Sequence, residues 1–268
     1  IGGAAHVSIS PDQNFAYVCG YDSDALALFS RDIATGKLTY IENYSSSDST
    51  AFGYDALIES VISDDGKYLY AIAHDGGGLI VFSRDITTGK LTREHLYHVG
   101  TDPNATTNYF KTAWAIRLSP DNRFLYFISR FNDRLYIFER NADTGALSNP
   151  RELINWIDAG NASPTGLEIH PNGKYLYVCG YGGTFIGALY LFEIDQTTGD
   201  LTLRQTVVDS DIFSTNDVRQ LSLGRPNTIA LSPDGKFLYT AADEDIFDDN
   251  FEVSIFKINQ ENGFIEPI

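Results

Sequence analysis

The sequence predicts an all-β fold assembled from five copies of one four-stranded unit. Three observations carry that prediction. A Ser-Pro-Asp-type turn recurs at Ser10, Ser63, Ser119, His170 and Ser232, at intervals of 53, 56, 51 and 62 residues. An aromatic-rich run follows each copy: FAYVCGY (15–21), YLYAIAH (68–74), FLYFISR (124–130), YLYVCGY (175–181) and FLYTAAD (237–243). A run ending in Phe and a second turn come next, and two of these phrases, LALFSRDIATGKL (26–38) and LIVFSRDITTGKL (79–91), differ at only three positions. Four antiparallel strands repeated at about 50 residues describe a β-propeller blade.

Each element of the unit has a local reason. Strand A precedes the first turn. Pro at the second turn position sets φ, and Asp, Asn or Gly suits the next two. Strand B carries Tyr17, Tyr70, Tyr126, Tyr177 or Tyr239. Strand C ends at Phe29, Phe82, Phe138, Phe192 or Phe256. These Tyr and Phe side chains are the expected core between blades. The second turn holds Gly36, Gly89, Gly145, Gly199 or Gly263, each suited to the left-handed residue of a bulged hairpin. Asp32, Asp85, Asn141, Asp195 and Asn259 are placed to cap that turn through side-chain oxygens. Strand D follows.

The units are expected to fill residues 1–268 as a single propeller domain. Its repeats run approximately 1–53, 54–110, 111–161, 162–223 and 224–268. Closure would rest on packing of the first blade against the last, since no strand exchange between the termini is apparent. The alternative is a fragment of a larger, for example seven-bladed, ring.

Composition narrows the partners. The formal net charge of −17 opposes nucleic-acid phosphates and anionic membranes. No apolar run approaches the roughly 18 residues of a membrane span, so no membrane insertion is expected. The chain contains no Met and shows no signal peptide, so Ile1 is not the expected translation start. An extracellular, cell-surface or periplasmic location is the expectation, and membership of a larger assembly or parent chain stays open. Sequons begin at Asn43, Asn104 and Asn161. Cys19 and Cys179 occupy equivalent strand-B positions in the non-adjacent blades one and four, so they are expected to be buried free thiols rather than a disulfide.

Three phrases, SPDGKFLY (232–239), LIVFSRD (79–85) and the DxxTGKL turns, resemble the lactonase-type β-propeller family. That family includes 6-phosphogluconolactonase-like and carboxymuconate-cyclase-like proteins and is similar to YVTN-type surface propellers. The resemblance covers essentially the whole chain and rests on blade turns. It implies a propeller, usually of seven blades, and enzymes that use Arg, His and acidic residues on inner strands. No catalytic motif aligns residue by residue.

In such a fold the B–C loops and D–A connections share one face, around the mouth of the central channel. Function is therefore sought where the copies disagree. Strand B ends at Tyr21, His74, Arg130, Tyr181 and Asp243, after a small residue in each case: Gly20, Ala73, Ser129, Gly180 or Ala242. Those small residues are expected to leave a depression. Strand A contributes His6, Glu59, Trp114, Arg117, Glu168 and Asn227. Catalytic candidates are His74 or Glu59 as base and Arg117 or Arg130 as oxyanion partner. Ligand-binding candidates are Tyr21, His74, Arg130, Tyr181, Asp243 and Trp114. Structural roles compete: Arg117 and Glu168 at equivalent positions suit an inter-blade ion pair, and Trp114 suits core packing. The loop DEDIFDDNFE (243–252) offers Asp243, Asp245, Asp248 and Asp249 to Ca²⁺ without EF-hand spacing, so a solvated acidic loop and no cofactor is the expectation.

Two functions follow. The first is a non-catalytic interaction module that binds a protein, glycan or small-molecule ligand on the variable face. The second is a metal-independent lactone hydrolase.

Overall fold

The computed structural model describes residues 1–45, 55–75, 77–98, 112–130, 133–153, 163–182, 187–208, 223–243 and 252–268. Twenty strands lie among them, grouped as five four-stranded antiparallel sheets. The first sheet is β1 (Ala4–Ile9), β2 (Phe15–Gly20), β3 (Ala25–Arg31) and β4 (Leu38–Ser45). The second is β5 (Leu57–Ile62), β6 (Tyr68–Ala73), β7 (Gly78–Arg84) and β8 (Leu91–His98). The third is β9 (Ala113–Leu118), β10 (Phe124–Ser129), β11 (Arg134–Arg140) and β12 (Leu147–Leu153). The fourth is β13 (Ser163–Ile169), β14 (Tyr175–Tyr181), β15 (Gly187–Ile194) and β16 (Leu201–Val208). The fifth is β17 (Arg225–Leu231), β18 (Phe237–Asp243), β19 (Glu252–Ile258) and β20 (Ile265–Pro267). In every sheet the strands pair in chain order, so each is one propeller blade. The expected all-β propeller of five blades is what the chain forms.

The described residues fall into two compact units. One comprises Ile1–Leu118, Asn122–Ser129 and Phe138–Pro150; the other comprises Ser119–Asp121, Arg130–Ile137 and Arg151–Ile268. In the first unit β5 packs beside β1 and β9 beside β5. In the second, β17 packs beside β13. First strands thus lie against first strands, as expected of strand A.

The turns form for the reasons their residues suggest. In the first, Ser10 accepts from the Phe15 amide (3.0 Å) and Asp12 from the Asn14 amide (3.0 Å). Ser63 and Asp65 repeat this with Tyr68 and Lys67. In the second, Asp85 accepts from the amides of Thr87 and Thr88, and Asn141 from those of Asp143 and Thr144.

Between blades the contacts repeat. The Tyr17 hydroxyl donates to the Gly89 carbonyl (2.6 Å), Tyr70 to Gly145 (2.9 Å) and, in the second unit, Tyr177 to Gly263 (2.8 Å). Each buried phenol therefore satisfies its hydroxyl on the next blade's second turn, avoiding the roughly 1–3 kcal/mol cost of an unpaired buried polar group. Burial pushes the Tyr17 and Tyr70 phenols up to about 12, so both stay protonated donors at neutral pH. The glycines are required twice over. Gly89 has φ +73°, and a Cβ there would sit 2.4 Å from the Phe15 ring. Gly145 has φ +68°, with the Tyr68 ring 2.3 Å from the same point. Gly36, with φ +72°, meets nothing within 4 Å.

The expected inter-blade core holds with two exceptions. Tyr17, Tyr70, Tyr126, Tyr177, Phe82, Phe138, Phe192 and Phe256 are buried. Phe29 and Tyr239 are only half-buried. Phe29 leans instead on its own blade's Tyr40, edge to face at 5.7 Å. Cys19 and Cys179 are buried and free, and burial pushes both thiols up to about 12.

The turn carboxylates make the fold acid-sensitive. Amides of Thr35, Thr88 and Thr198 hold Asp32, Asp85 and Asp195 below the usual carboxylate range. At Asp12, burial pushes the carboxyl up, but bonds from Ser10, Asn14 and Arg84 outweigh it and the net shift is downward. Ser232 and the Lys236 amide bring Asp234 down to about 2. Groups depressed on folding stabilise above their unfolded value, here 3.8, and that contribution is lost as pH falls through the folded value. Melting temperature is therefore expected to fall between about pH 4 and about pH 2. A melting curve that does not move over this interval would contradict the turn assignments.

Candidate functional site

The structure brings the predicted polar residues together in two groups, one in each compact unit. In the first unit, His74 follows the last residue of β6. Its peptide is held on both sides: its amide donates to the Ala56 carbonyl (2.9 Å), and its carbonyl accepts from the Thr112 amide (3.2 Å). Ala56 and Thr112 have φ +59° and +61°. Left-handed conformations in residues other than glycine cost roughly 1–2 kcal/mol each and persist where the surroundings over-determine them. The Ala56 amide is anchored by the Asp24 carboxylate at 2.8 Å.

The His74 ring sits between two aromatic residues of neighbouring blades. Trp114, on β9, meets it edge to face with centroids 5.5 Å apart. Tyr21 lies on the other blade at 6.2 Å. His74 Nδ1 is 2.7 Å from Asp75 Oδ1, and the Tyr21 hydroxyl is 3.4 Å from Asp75 Oδ2. The His74 side chain is 12% exposed and the Asp75 side chain 62%. Desolvation and the Asp75 charge both push the Tyr21 phenol up, so it remains protonated.

Glu59 and Arg117 also meet in this unit. Arg117 Nη1 donates to Glu59 Oε1 at 2.7 Å and to the Ile116 carbonyl at 2.6 Å. The second Glu59 oxygen accepts from the Ile116 amide at 2.7 Å, and His6 Nε2 stands 3.6 Å from the first. Glu59 is buried on β5, and these bonds clamp that strand to β9. Arg117 thus pairs with a strand-A carboxylate of the preceding blade, Glu59.

In the second unit Arg130 and Arg225 converge on Tyr181. Arg130 Nη2 donates to the Tyr181 hydroxyl, and Arg225 Nη2 does so at 3.2 Å. Their guanidinium carbons lie 5.5 and 4.7 Å from the Tyr181 ring centroid. Arg225 opens β17 directly across from Asp243, which ends β18. Two functional candidates were therefore missed by sequence reasoning. Asp75 adjoins His74 in the chain. Arg225 would have been found by pairing the start of strand A with the end of strand B.

The small residues before these positions do not open a depression. Ala73 and Ser129 are fully buried. A Cβ on Gly180 would lie 2.6 Å from the Ser163 carbonyl oxygen, and one on Gly20 would lie 2.6 Å from Ile1 Cγ2. Small residues stand there because the chain entering strand A passes close by. A register shift between Pro164 and Gly166 marks that entry. Asp245, Asp248 and Asp249 lie outside the described residues, as do Asn104 and Asn161. Among the described residues no group of three or more His, Cys, Asp or Glu could hold a metal ion.

Four-stranded antiparallel blades with their strands paired in chain order define the β-propeller class of protein. Comparison with known proteins says which family within it. The chain matches the lactonase, 7-bladed β-propeller family over residues 2–107 and 94–215, and it belongs to that family. It is 28% identical to the 6-phosphogluconolactonase of Serratia proteamaculans over 73% of this chain and 54% of that one. It is 27% identical to hydrazine synthase subunit beta of Kuenenia stuttgartiensis over 78% of this chain and 55% of that one. The chain thus spans about half the length of these curated relatives. A solved Lactobacillus plantarum protein superposes with a TM-score of 0.76 at 15% identity, covering 99% of this chain and 70% of that one, a likeness of fold.

These relationships overturn one expectation. The non-catalytic interaction module was the first reading of the sequence, because blade turns dominate it and no catalytic signature stands out. The family matched is one of lactonases, and curated relatives in both Serratia and Pectobacterium are 6-phosphogluconolactonases. Turn motifs are silent about activity because they build the frame.

Proposed function

We propose that the chain forms part of a lactone hydrolase acting on sugar lactones, phosphorylated ones among them. The observation that carries this reading is the mounting of His74: a peptide bonded on both sides, a carboxylate on Nδ1, and aromatic neighbours on two adjacent blades. The relatives' activity supports the choice of reaction.

His74 acts as the general base through Nε2. It takes a proton from a water molecule as that oxygen adds to the lactone carbonyl carbon. The tetrahedral intermediate collapses with cleavage of the ring C–O bond. The imidazolium returns the proton to the leaving ring oxygen, and the product is a hydroxy acid. Trp114 and Tyr21 offer apolar surface to the sugar ring, with the Tyr21 hydroxyl supplying a polar contact. Glu59, the other base candidate, is engaged by Arg117 and the Ile116 amide and serves as a clamp between strands.

The test is a panel of sugar lactones with and without a phosphate group, each followed against its spontaneous hydrolysis. Acceleration of at least one is expected. Rates equal to the uncatalysed background throughout the panel would overturn the reading.

A further inference from the structure

We propose that Asp75 is a positioning residue that fixes the tautomer of His74, holding the proton on Nδ1 and leaving the lone pair on Nε2. The inference rests on the reading of His74 as the base and adds the residue that makes it one.

The geometry carries it. Nδ1 and Oδ1 are 2.7 Å apart, a distance within the charge-assisted range. An ionised carboxylate only accepts, so the imidazole nitrogen facing it must donate. In a neutral ring the other nitrogen then holds the lone pair. Asp75 is itself oriented from the neighbouring blade, because its second oxygen lies 3.4 Å from the Tyr21 hydroxyl. The His74 peptide is immobilised by Ala56 and Thr112, and Trp114 packs edge-on against the ring, so ring rotation is opposed from the third blade.

The side chain of Asp75 is 62% exposed, so its effect is expected to be moderate rather than absolute. Asp75→Asn keeps the size and removes the charge, and its amide can donate to Nδ1, favouring the opposite tautomer. In protein labelled with ¹⁵N-histidine, at about pH 8 where imidazole is neutral, wild-type His74 is expected to show the Nδ1–H pattern. Its signal is assigned by its loss in His74→Gln. Asp75→Asn is expected to convert it largely to Nε2–H and to lower kcat roughly 10–100-fold with KM within about twofold, the range typical of residues that orient a working imidazole. Asp75→Glu is expected to restore the Nδ1–H pattern.

An Nε2–H tautomer in the wild type, or a tautomer unmoved by Asp75→Asn, would overturn the proposal. The two readings separate cleanly. Should the spectra behave as expected while no lactone is turned over, the positioning role stands and the catalytic reading falls.

Discussion

His74→Ala is expected to lower kcat for lactone hydrolysis by about 10²–10⁴-fold, the range a positioned general base contributes, with KM changed less than about threefold. In free energy this is about 3–5 kcal/mol of transition-state stabilisation. The structural reason is that the ring projects from a peptide whose two hydrogen bonds are made by its own backbone. Removing the side chain therefore leaves those bonds in place, and the expected loss of stability is confined to the ring's packing on Trp114 and Tyr21, about 1–2 kcal/mol. Glu59→Gln should behave in the opposite way. It removes the charge that receives Arg117 Nη1 at 2.7 Å in a largely buried position. A loss of about 2–3 kcal/mol in stability is expected, with kcat little affected in the folded fraction. Steady-state kinetics on a hydrolysed lactone, beside thermal melts of both variants, measure the contrast. A full kcat in His74→Ala would remove this residue from the chemistry.

Arg84→Ala is expected to cost about 2–4 kcal/mol, since it removes a buried guanidinium bonded to a phenol, a buried carbonyl and a partly exposed carboxylate. The corresponding fall in Tm is roughly 10 °C. The Arg84 side chain is 1% exposed. It donates to the Tyr17 hydroxyl (2.7 Å), the Gly66 carbonyl (3.0 Å) and Asp12 Oδ2 (3.0 Å), and it lies 5.2 Å from the Phe15 ring centroid. Its loss leaves a buried carbonyl and a carboxylate without their donor. Arg140 repeats the arrangement against Tyr70, with Nε to hydroxyl at 2.7 Å. Arg31 stands at the same place in the first blade, and among the described residues its guanidinium donates to the Gln13 carbonyl alone, at 3.2 Å. Arg31→Ala is therefore expected to cost less than about 1 kcal/mol, since this half-buried side chain makes one bond to a carbonyl of its own blade. Chemical denaturation of the two variants makes the comparison, and equal losses would show that the inter-blade bonds of Arg84 are not what stabilises the blade pair.

These two cases also mark how far sequence reasoning reached. The turns, strands and inter-blade aromatic residues were legible because their causes are local or periodic. Ser and Asp side chains bond amides a few residues away, and glycine at the fourth or fifth turn position answers a left-handed φ. The ends of strand B are places where the copies differ, and the rings of Tyr21 and Trp114 flank His74 there. Asp75 and Arg225 escaped notice. Asp75 matters through a blade 54 positions away, by way of Tyr21, and Arg225 through Tyr181, 44 positions away. The glycines at positions 20 and 180 were misread as making room, because close approach of an entering chain and an open depression demand the same small residue.

The sequence by itself determined the blade. Five copies of one phrase specify four strands, two turns and the aromatic residues that pack between sheets, since each depends on neighbours close in the chain. Only the tertiary structure decided what each copy does. Arg31 and Arg84 stand in the same Ser-Arg-Asp phrase, and Gly36 and Gly89 in the same Thr-Gly-Lys phrase. Arg84 and Gly89 are buried against the first blade, whereas Arg31 holds one carbonyl and Gly36 faces open space. The partner of each side chain is carried by a different blade, so identical words acquire different energies from what is packed against them.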